Sequence, residues 1–413
     1  MIKNGELRME NEWSKVKLVD IIQFNPKESI KKGEIAKKVA MEKLEPFTRK
    51  ISGFEEAKFT SGTKFRNGDT LLARITPCLE NGKTAQVDIL DKDEIGFGST
   101  EYIVLREKLG ITDNDFIYYL SISPEFRNVA IKAMNGSSGR QRVQKDVLEN
   151  SEFLLPPLDE QKAIAKILSD LDEKIGVNNK INKKLEEMAQ AIFKQWFVDF
   201  EFPNEDGKPY KSSGGEMVES EFGMIPKCWK SKELKEVIKF AKGKKPKIIT
   251  DKEFDNSELY LTIDVLNRNS IQYAVNDKVV LANKKDILMV MDGASSGSLY
   301  YGLDGIVGST LSKLVINDEY INEDILYYFL KLNEFNIKGH LTGSAIPHTD
   351  KEYVNRLILC IPSDKEILVR ATKILSGIRE KVIINNEENS RLIKLRDTLL
   401  PKLMSGEIRV PID

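Results

Sequence analysis

The sequence predicts an α+β protein: two duplicated mixed α/β domains separated by two long helices. Three observations carry this reading. The chain repeats itself once along most of its length. Each copy opens with short apolar stretches bounded by turn residues and closes on a long helical segment. Both segments carry the same apolar seam at a spacing near 3.5 residues, the coiled-coil period.

Length and composition agree. At roughly 150 residues per domain, 413 residues suggest two or three domains. Lys+Arg is 63 and Asp+Glu is 64, a net charge of −1, which excludes a globally basic, histone-like chain. Any nucleic-acid contact must come from local patches. Apolar residues reach 41% and charged ones 31%, enough for real cores with long solvated helices. Cys78, Cys228 and Cys360 are odd in number and form no CxxC, which argues against a disulfide framework or zinc ribbon and for a reducing compartment. No apolar run approaches the roughly 20 residues of a membrane span, and Met1–Glu6 lacks a signal-peptide core. The expectation is a soluble cytoplasmic protein with no membrane partner.

The internal repeat decides the architecture. WSKVKLVDIIQF from Trp13 to Phe24 returns as WKSKELKEVIKF from Trp229 to Phe240, an offset of 216 (229 − 13). Asp115, Tyr118 and Tyr119 return as Asp324, Tyr327 and Tyr328. Gly98-Ser99-Thr100 returns as Gly308-Ser309-Thr310, and Gly136-Ser137 as Gly343-Ser344. Lys166–Ser169 and Asn178-Asn179 return at an offset of 207, so the second copy carries small loop deletions. Copies of this size are domains, not solenoid repeats.

In chain order, the first domain is expected at 11–155, with strand-like stretches such as Thr70–Ile75 and Tyr102–Leu105 and a helix around Asp115–Leu120. Pro156-Pro157 closes it, and Asp159-Glu160 suit the N-terminus of a long helix in segment 156–200. A polar linker, 201–217, is rich in turn formers. The second domain is expected at 218–361 and the last helix at 362–405. The first seam runs through Ile164, Leu168, Leu171, Ile175, Asn178, Asn182, Leu185, Ala189, Ile192 and Trp196. The second runs through Ala371, Leu375, Ile378, Val382, Asn385, Asn389, Leu392, Arg396, Leu399 and Leu403. A coiled-coil seam or a stripe packed on its own domain would both produce this. Some 40 residues at about 1.5 Å each span about 60 Å, longer than such a domain.

Catalytic motifs fail in turn. Asn81–Thr84 resembles the tail of a phosphate loop, but its leading glycine falls on Pro77. Gly96-Phe97-Gly98 is a lone GxG, and Asn25-Pro26 is followed by Lys27 rather than an aromatic residue. His340 and His348 have no Cys/His partner at ligand spacing and read as loop histidines. Glu160-Gln161-Lys162 reads as a solvated helix face.

Loops suited to DNA are better represented. Gly136–Lys145 places Ser137, Arg140, Gln141 and Arg142 after flexible backbone; Arg can grip guanine and Gln adenine in bidentate fashion. Lys242, Lys244 and Lys245 stand in a segment without acid and suit phosphate. Ser295 and Ser296 lie in a small polar loop, Asp292–Ser298, with Ser344 in a further one. Arg74, Thr76 and Lys83 occupy the matching place in the first copy. Any one loop could be an ordinary exposed turn; recurrence at equivalent places makes the set more telling.

Five stretches stand out: GDTLLARITPCLENGK from Gly68 to Lys83, LPPLDEQ from Leu155 to Gln161, FKQWFVDF from Phe193 to Phe200, IPKCW from Ile225 to Trp229 and LLPKLMSGEI from Leu399 to Ile408. In these the chain resembles the specificity subunit of type I restriction-modification systems. The match covers both halves; CIPSDKE from Cys360 to Glu366 departs from the LPPLDEQ form. The resemblance implies two target-recognition domains, each reading half of a split double-stranded DNA site, and two helices that pair antiparallel. It implies that the helices dock two methyltransferase subunits and that restriction (translocase) subunits join for cleavage. It implies a non-catalytic chain with no cofactor of its own, S-adenosylmethionine belonging to the partner methyltransferase.

Two other classes compete: a degenerate methyltransferase or nuclease, and a coiled-coil scaffold that binds protein only. S-adenosylmethionine binding by the isolated chain separates the first, and duplex binding the second. If the helices pair antiparallel about their middles, Asn178 and Asn182 should lie near Asn385 and Asn389 and set the register; the opposing reading is that all four face solvent. On the same reasoning the helices fix the distance between half-sites.

Overall fold

A computed structural model of the chain describes residues 12–411 apart from 138, 269, 276 and 277. Met1–Glu6, residue 11 at the expected start of the first domain, and Ser138 of the Gly136–Lys145 loop lie outside the described residues. The chain divides into two compact units, Met1–Val177 with Glu388–Asp413, and Asn178–Glu387. Each unit therefore combines a globular part with one portion of each long helix.

The first unit carries β1 (Ser14–Lys17), β2 (Ile22–Phe24), β3 (Ile35–Val39), β4 (Glu55–Lys58), β5 (Thr63–Phe65), β6 (Thr70–Ala73), β7 (Thr84–Gln86), β8 (Gly96–Gly98), β9 (Tyr102–Glu107), β10 (Met134–Asn135), β11 (Arg142–Val143) and β12 (Glu152–Leu155). Two four-stranded sheets form, in the orders β2-β9-β6-β7 and β4-β3-β8-β5. The apolar run of β6 is buried at every position, as expected for a strand covered on both faces. β1 pairs antiparallel with β12, Ser14 opposite Leu155, which brings the start of the domain to the foot of its long helix.

The second unit carries β13 (Met217–Ser220), β14 (Gly223–Pro226), β15 (Trp229–Glu233), β16 (Ile238–Lys242), β17 (Ile249–Thr250), β18 (Ser257–Leu261), β19 (Tyr273–Val275), β20 (Leu281–Ala282), β21 (Ile287–Val290), β22 (Leu299–Tyr300), β23 (Gly305–Val307), β24 (Leu311–Ile316) and β25 (Ile358–Pro362). Its sheets run β16-β24-β21-β22 and β17-β19-β18-β23-β20, and β15 pairs with β25. The connectivity is that of the first unit, with β17 added at one edge. One sheet in each unit holds a parallel pair, β3 with β8 and β18 with β23. The repeated glycine follows from it. A Cβ on Gly98 would lie 2.5 Å from the Val39 carbonyl oxygen, and one on Gly308 2.4 Å from that of Leu261. Only glycine permits that approach.

The units differ where Pro124 enters. In the first, Asn114–Ile122 ends at Ser123, whose hydroxyl accepts from Phe126 N and caps a new helix, Pro124–Lys132. In the second, without that proline, a single helix runs Glu323–Gly339.

The long helices are Leu158–Phe197 and Lys365–Met404, 40 residues each. Every position of both seams is buried or half-buried. In the first unit the helices run antiparallel: Asp172 meets Arg396 at 2.7 Å and Lys174 meets Glu388 at 3.3 Å, so the partner number falls as the first rises. Ile164, Leu168, Leu400 and Leu403 join Phe116, Ile117 and Leu120 in one core. In the second unit Ala189, Phe193, Ala371 and Leu375 do the same with Leu326 and Phe329. A fully buried leucine contributes about 1.5–3 kcal/mol here.

Two expectations need correction. Glu160 and Gln161 are fully buried, not part of a solvated face. Glu160 accepts from Trp13 Nε1 at 3.0 Å and from Arg409 at 2.7 Å; burial works against its charge, yet these hydrogen bonds outweigh that and hold its pKa below the ordinary value. Gln161 donates to the Ile111 and Pro156 carbonyls. The linker expected at 201–217 to be polar also packs through aromatic rings: Phe202 stacks on Trp229 and Tyr210 on Phe202, with centroids 5.1 and 4.6 Å apart.

Candidate nucleic-acid interface

In the first unit three segments converge: the turn after β6, the Gly98–Glu101 stretch before β9, and the loop before the Lys145–Glu149 helix. Backbone bonds tie them. Arg74 N donates to Glu101 O at 2.9 Å, Val143 N to Arg74 O at 2.9 Å and Thr76 N to Gln141 O at 3.1 Å. Thr76 is 9% exposed, and its hydroxyl accepts from Gln141 N, so it joins two loops from inside. Arg74 donates to the Val143 carbonyl and Lys83 to that of Met41, both at 3.0 Å. Ser137 and Arg140 are exposed and Gln141 is half-buried. Arg142 turns its Nε and Nη2 onto Glu101, at 2.7–3.0 Å. Gly136 has φ +132°, and in the second unit Gly343 has φ +86°, which accounts for the repeated Gly-Ser.

The second unit builds the same junction. Met291 N donates to Thr310 O at 2.7 Å, Thr349 N to Met291 O at 2.8 Å and Gly293 N to Pro347 O at 2.9 Å. Ser296 is buried, and its hydroxyl donates to the carbonyls of Gly293 and Pro347, so it shapes the loop from within. Ser295 is half-buried and Ser344 exposed. Lys242 and His348 both reach Asp292, at 3.1 and 2.8 Å. Burial pushes Asp292 up, but the hydrogen bonds from His348 and Lys242 win and leave its pKa below the ordinary value. Lys244 and Lys245 are exposed on the segment after β16.

The two junctions correspond in register: Ile75 bridges Arg142 in one, Asp292 bridges His348 in the other. On the seam, Asn178, Asn182, Asn385 and Asn389 are all buried. Asn385 Nδ2 donates to Asn182 Oδ1 at 2.7 Å, and Asn182 Nδ2 to Asn386 Oδ1 at 2.9 Å.

Three functional candidates escaped sequence reasoning. Glu101 directly follows the repeated Gly-Ser-Thr, yet nothing local marks it as the partner of Arg142. Asp292 heads a loop noticed only for its small residues. Arg127 donates to the carbonyls of Leu79 and Glu80 at 3.0 and 3.1 Å with its guanidinium over the Phe47 ring, and so holds the turn after β6.

These duplicated domains, each with loops gathered at one junction and joined to paired helices, fit a class of two-headed recognition proteins. A family model described as type I restriction modification DNA specificity domain matches residues 10–187 and 226–394, and the chain belongs to that family. It is 30% identical over 184 residues to the type I restriction enzyme MjaVIII specificity subunit of Methanocaldococcus jannaschii, a match spanning 44% of this chain and 43% of that one. It is 24% identical to the HindI specificity subunit of Haemophilus influenzae, over 87% of this chain and 90% of that one. The crystal structure of a type I restriction-modification S subunit from M. genitalium shares the fold, with TM-score 0.59 and 18% identity over 97% of this chain and 98% of that one. Among the described residues, no helix is long and apolar enough to cross a membrane.

Proposed function

We propose that this chain is the sequence-recognition subunit of a type I restriction-modification complex in the cytoplasm. Its two domains, 11–155 and 218–361, each read one half of a bipartite DNA target, and its helices fix the gap between the halves. The chain is non-catalytic and carries no cofactor. It docks two methyltransferase subunits, which bring S-adenosylmethionine, and restriction subunits. The observation that carries the reading is the duplicated junction: Thr76 N to Gln141 O and Gly293 N to Pro347 O hold the same loops in both units. Two like readers suit a target with two halves.

In the first domain Ser137, Arg140, Gln141 and Arg142 form the contact surface, with Arg74, Thr76 and Lys83 supporting it. In the second, Lys242, Lys244, Lys245, Ser295 and Ser344 form it, with Ser296 behind. The test is methylome sequencing of cells carrying the whole system with Arg142→Ala. Loss of discrimination at one base of one half-site, worth roughly 1–3 kcal/mol, is expected while the other half-site stays intact. An unchanged methylated sequence for this variant, together with unchanged duplex binding by Lys244→Ala/Lys245→Ala, would assign the chain to a protein-binding scaffold instead.

A further inference from the structure

In each unit one carboxylate sits on the cation that the junction presents. Glu101 takes Nε and Nη2 of Arg142, while Nη1 donates to the Arg140 carbonyl at 3.2 Å. Asp292 takes Lys242 and His348 together. Arg142 and His348 stand at corresponding bridge positions, against Ile75 and Asp292. The acids do not correspond. Glu101 precedes β9, whereas Asp292 follows β21. The same pairing is thus built from different places in the duplicated fold, so it is not a by-product of duplication.

We propose that Glu101 and Asp292 are specificity-determining residues, each neutralising and orienting the cation beside it so that a base edge rather than a phosphate is what that cation binds. The proposal rests on the DNA-reading assignment above. An unpaired arginine on a loop is drawn to any phosphate, and that attraction is blind to sequence. With Glu101 in place, a phosphate approaching Arg142 also meets a carboxylate. A guanidinium has five N–H donors. Glu101 and the Arg140 carbonyl occupy three of them, leaving two, the number that the O6/N7 edge of guanine accepts. The pair is reachable: the Arg142 side chain is 42% exposed and that of Glu101 25%. Asp292 likewise keeps Lys242 from acting as a free phosphate anchor, while its other oxygen holds His348 in place.

The experiment measures duplex binding by the full chain with its methyltransferase subunit across a salt series. It uses one duplex with the methylated target, one with the first half-site scrambled and one with the second half-site scrambled. Glu101→Gln keeps the shape of the side chain and removes its charge. It should tighten binding to the scrambled duplex, steepen the salt dependence by about one unit of log–log slope, and shrink discrimination at the first half-site roughly tenfold. Discrimination at the second half-site should not move, and Asp292→Asn should give the reciprocal result. Glu101→Gln/Arg142→Gln restores neutrality and should return the slope to its starting value. An ion pair that merely stabilised the loop would leave slope and ratio alone. The proposal is overturned if Glu101→Gln leaves both unchanged while Arg142→Ala abolishes the half-site preference. If no variant, including Arg142→Ala and Lys244→Ala/Lys245→Ala, alters duplex binding, the DNA-reading assignment itself fails.

Discussion

Asn385 donates to Asn182 at 2.7 Å across the helix seam, and the two side chains are 1% and 9% exposed. Asn385 stands between Val382 and Asn389 in its seam, and Asn182 between Asn178 and Leu185. A buried amide without a partner costs about 1–3 kcal/mol, so a shift of register that set either one against a leucine is penalised. The pair therefore specifies register more than it adds stability.

Asn385→Leu alone should destabilise the second unit by roughly 1–3 kcal/mol, because Asn182 Oδ1 is left buried without its donor. Asn182→Leu/Asn385→Leu should recover most of that loss, since both amides go together. Denaturant titration of the single and double variants closes the cycle. A double variant no more stable than either single one would show that the amides do not act as a pair.

The seam was legible because two distant helices keep one apolar pattern with asparagine at the same two places. The strand order was legible only as recurrence. Gly98 and Gly308 are visible as a repeated motif, but the carbonyls they must clear, on Val39 and Leu261, come from another strand. Glu160 was misread for the same reason: its burial is supplied by Trp13 and Arg409, 147 and 249 residues away. Glu101 and Asp292 were overlooked because their partners lie 41 and 56 residues on. Local spacing reports periodicity and turns; it does not report who fills the space opposite.

A second buried polar pair ties the helices to the first domain. Asp172 accepts from Arg396 and from the Tyr119 hydroxyl, both at 2.7 Å, and the Asp172 and Arg396 side chains are under one-tenth exposed. Arg396→Met should cost about 3–5 kcal/mol, because the Asp172 carboxylate is left buried with one donor fewer. Asp172→Asn/Arg396→Met should cost far less. Unfolding midpoints that fall equally for single and double variants would contradict this.

Glu186 gives the second unit a pH dependence. Burial lifts its pKa above the ordinary 4.5, against the lowering effect of the Tyr301 hydroxyl, Lys331 and Arg379. As pH rises past 4.5, the unfolded chain releases this proton before the folded one does, so the folded state loses stability until its own raised value is passed. Glu186→Gln cannot ionise. Its stability relative to the parent should grow through that window and then level off. Parallel stability curves in a pH series starting at 4.5 would refute the assignment.

Lys244 and Lys245 should behave unlike Arg142. Both are exposed, and among the described residues neither has a hydrogen-bond or ion-pair partner, whereas the nearby Lys242 is held by Asp292 at 3.1 Å. An ammonium free on a loop is a point charge that suits phosphate and carries no base code. Each phosphate contact contributes about 0.9 to the slope of log affinity against log salt. Lys244→Ala/Lys245→Ala should therefore lower that slope by roughly two and weaken target and scrambled duplexes alike. The methylated sequence should stay as it was, because the loss is common to all sites. A changed second half-site in the methylome of this variant would mean that the lysines read bases, and an unchanged slope would mean that they touch no phosphate.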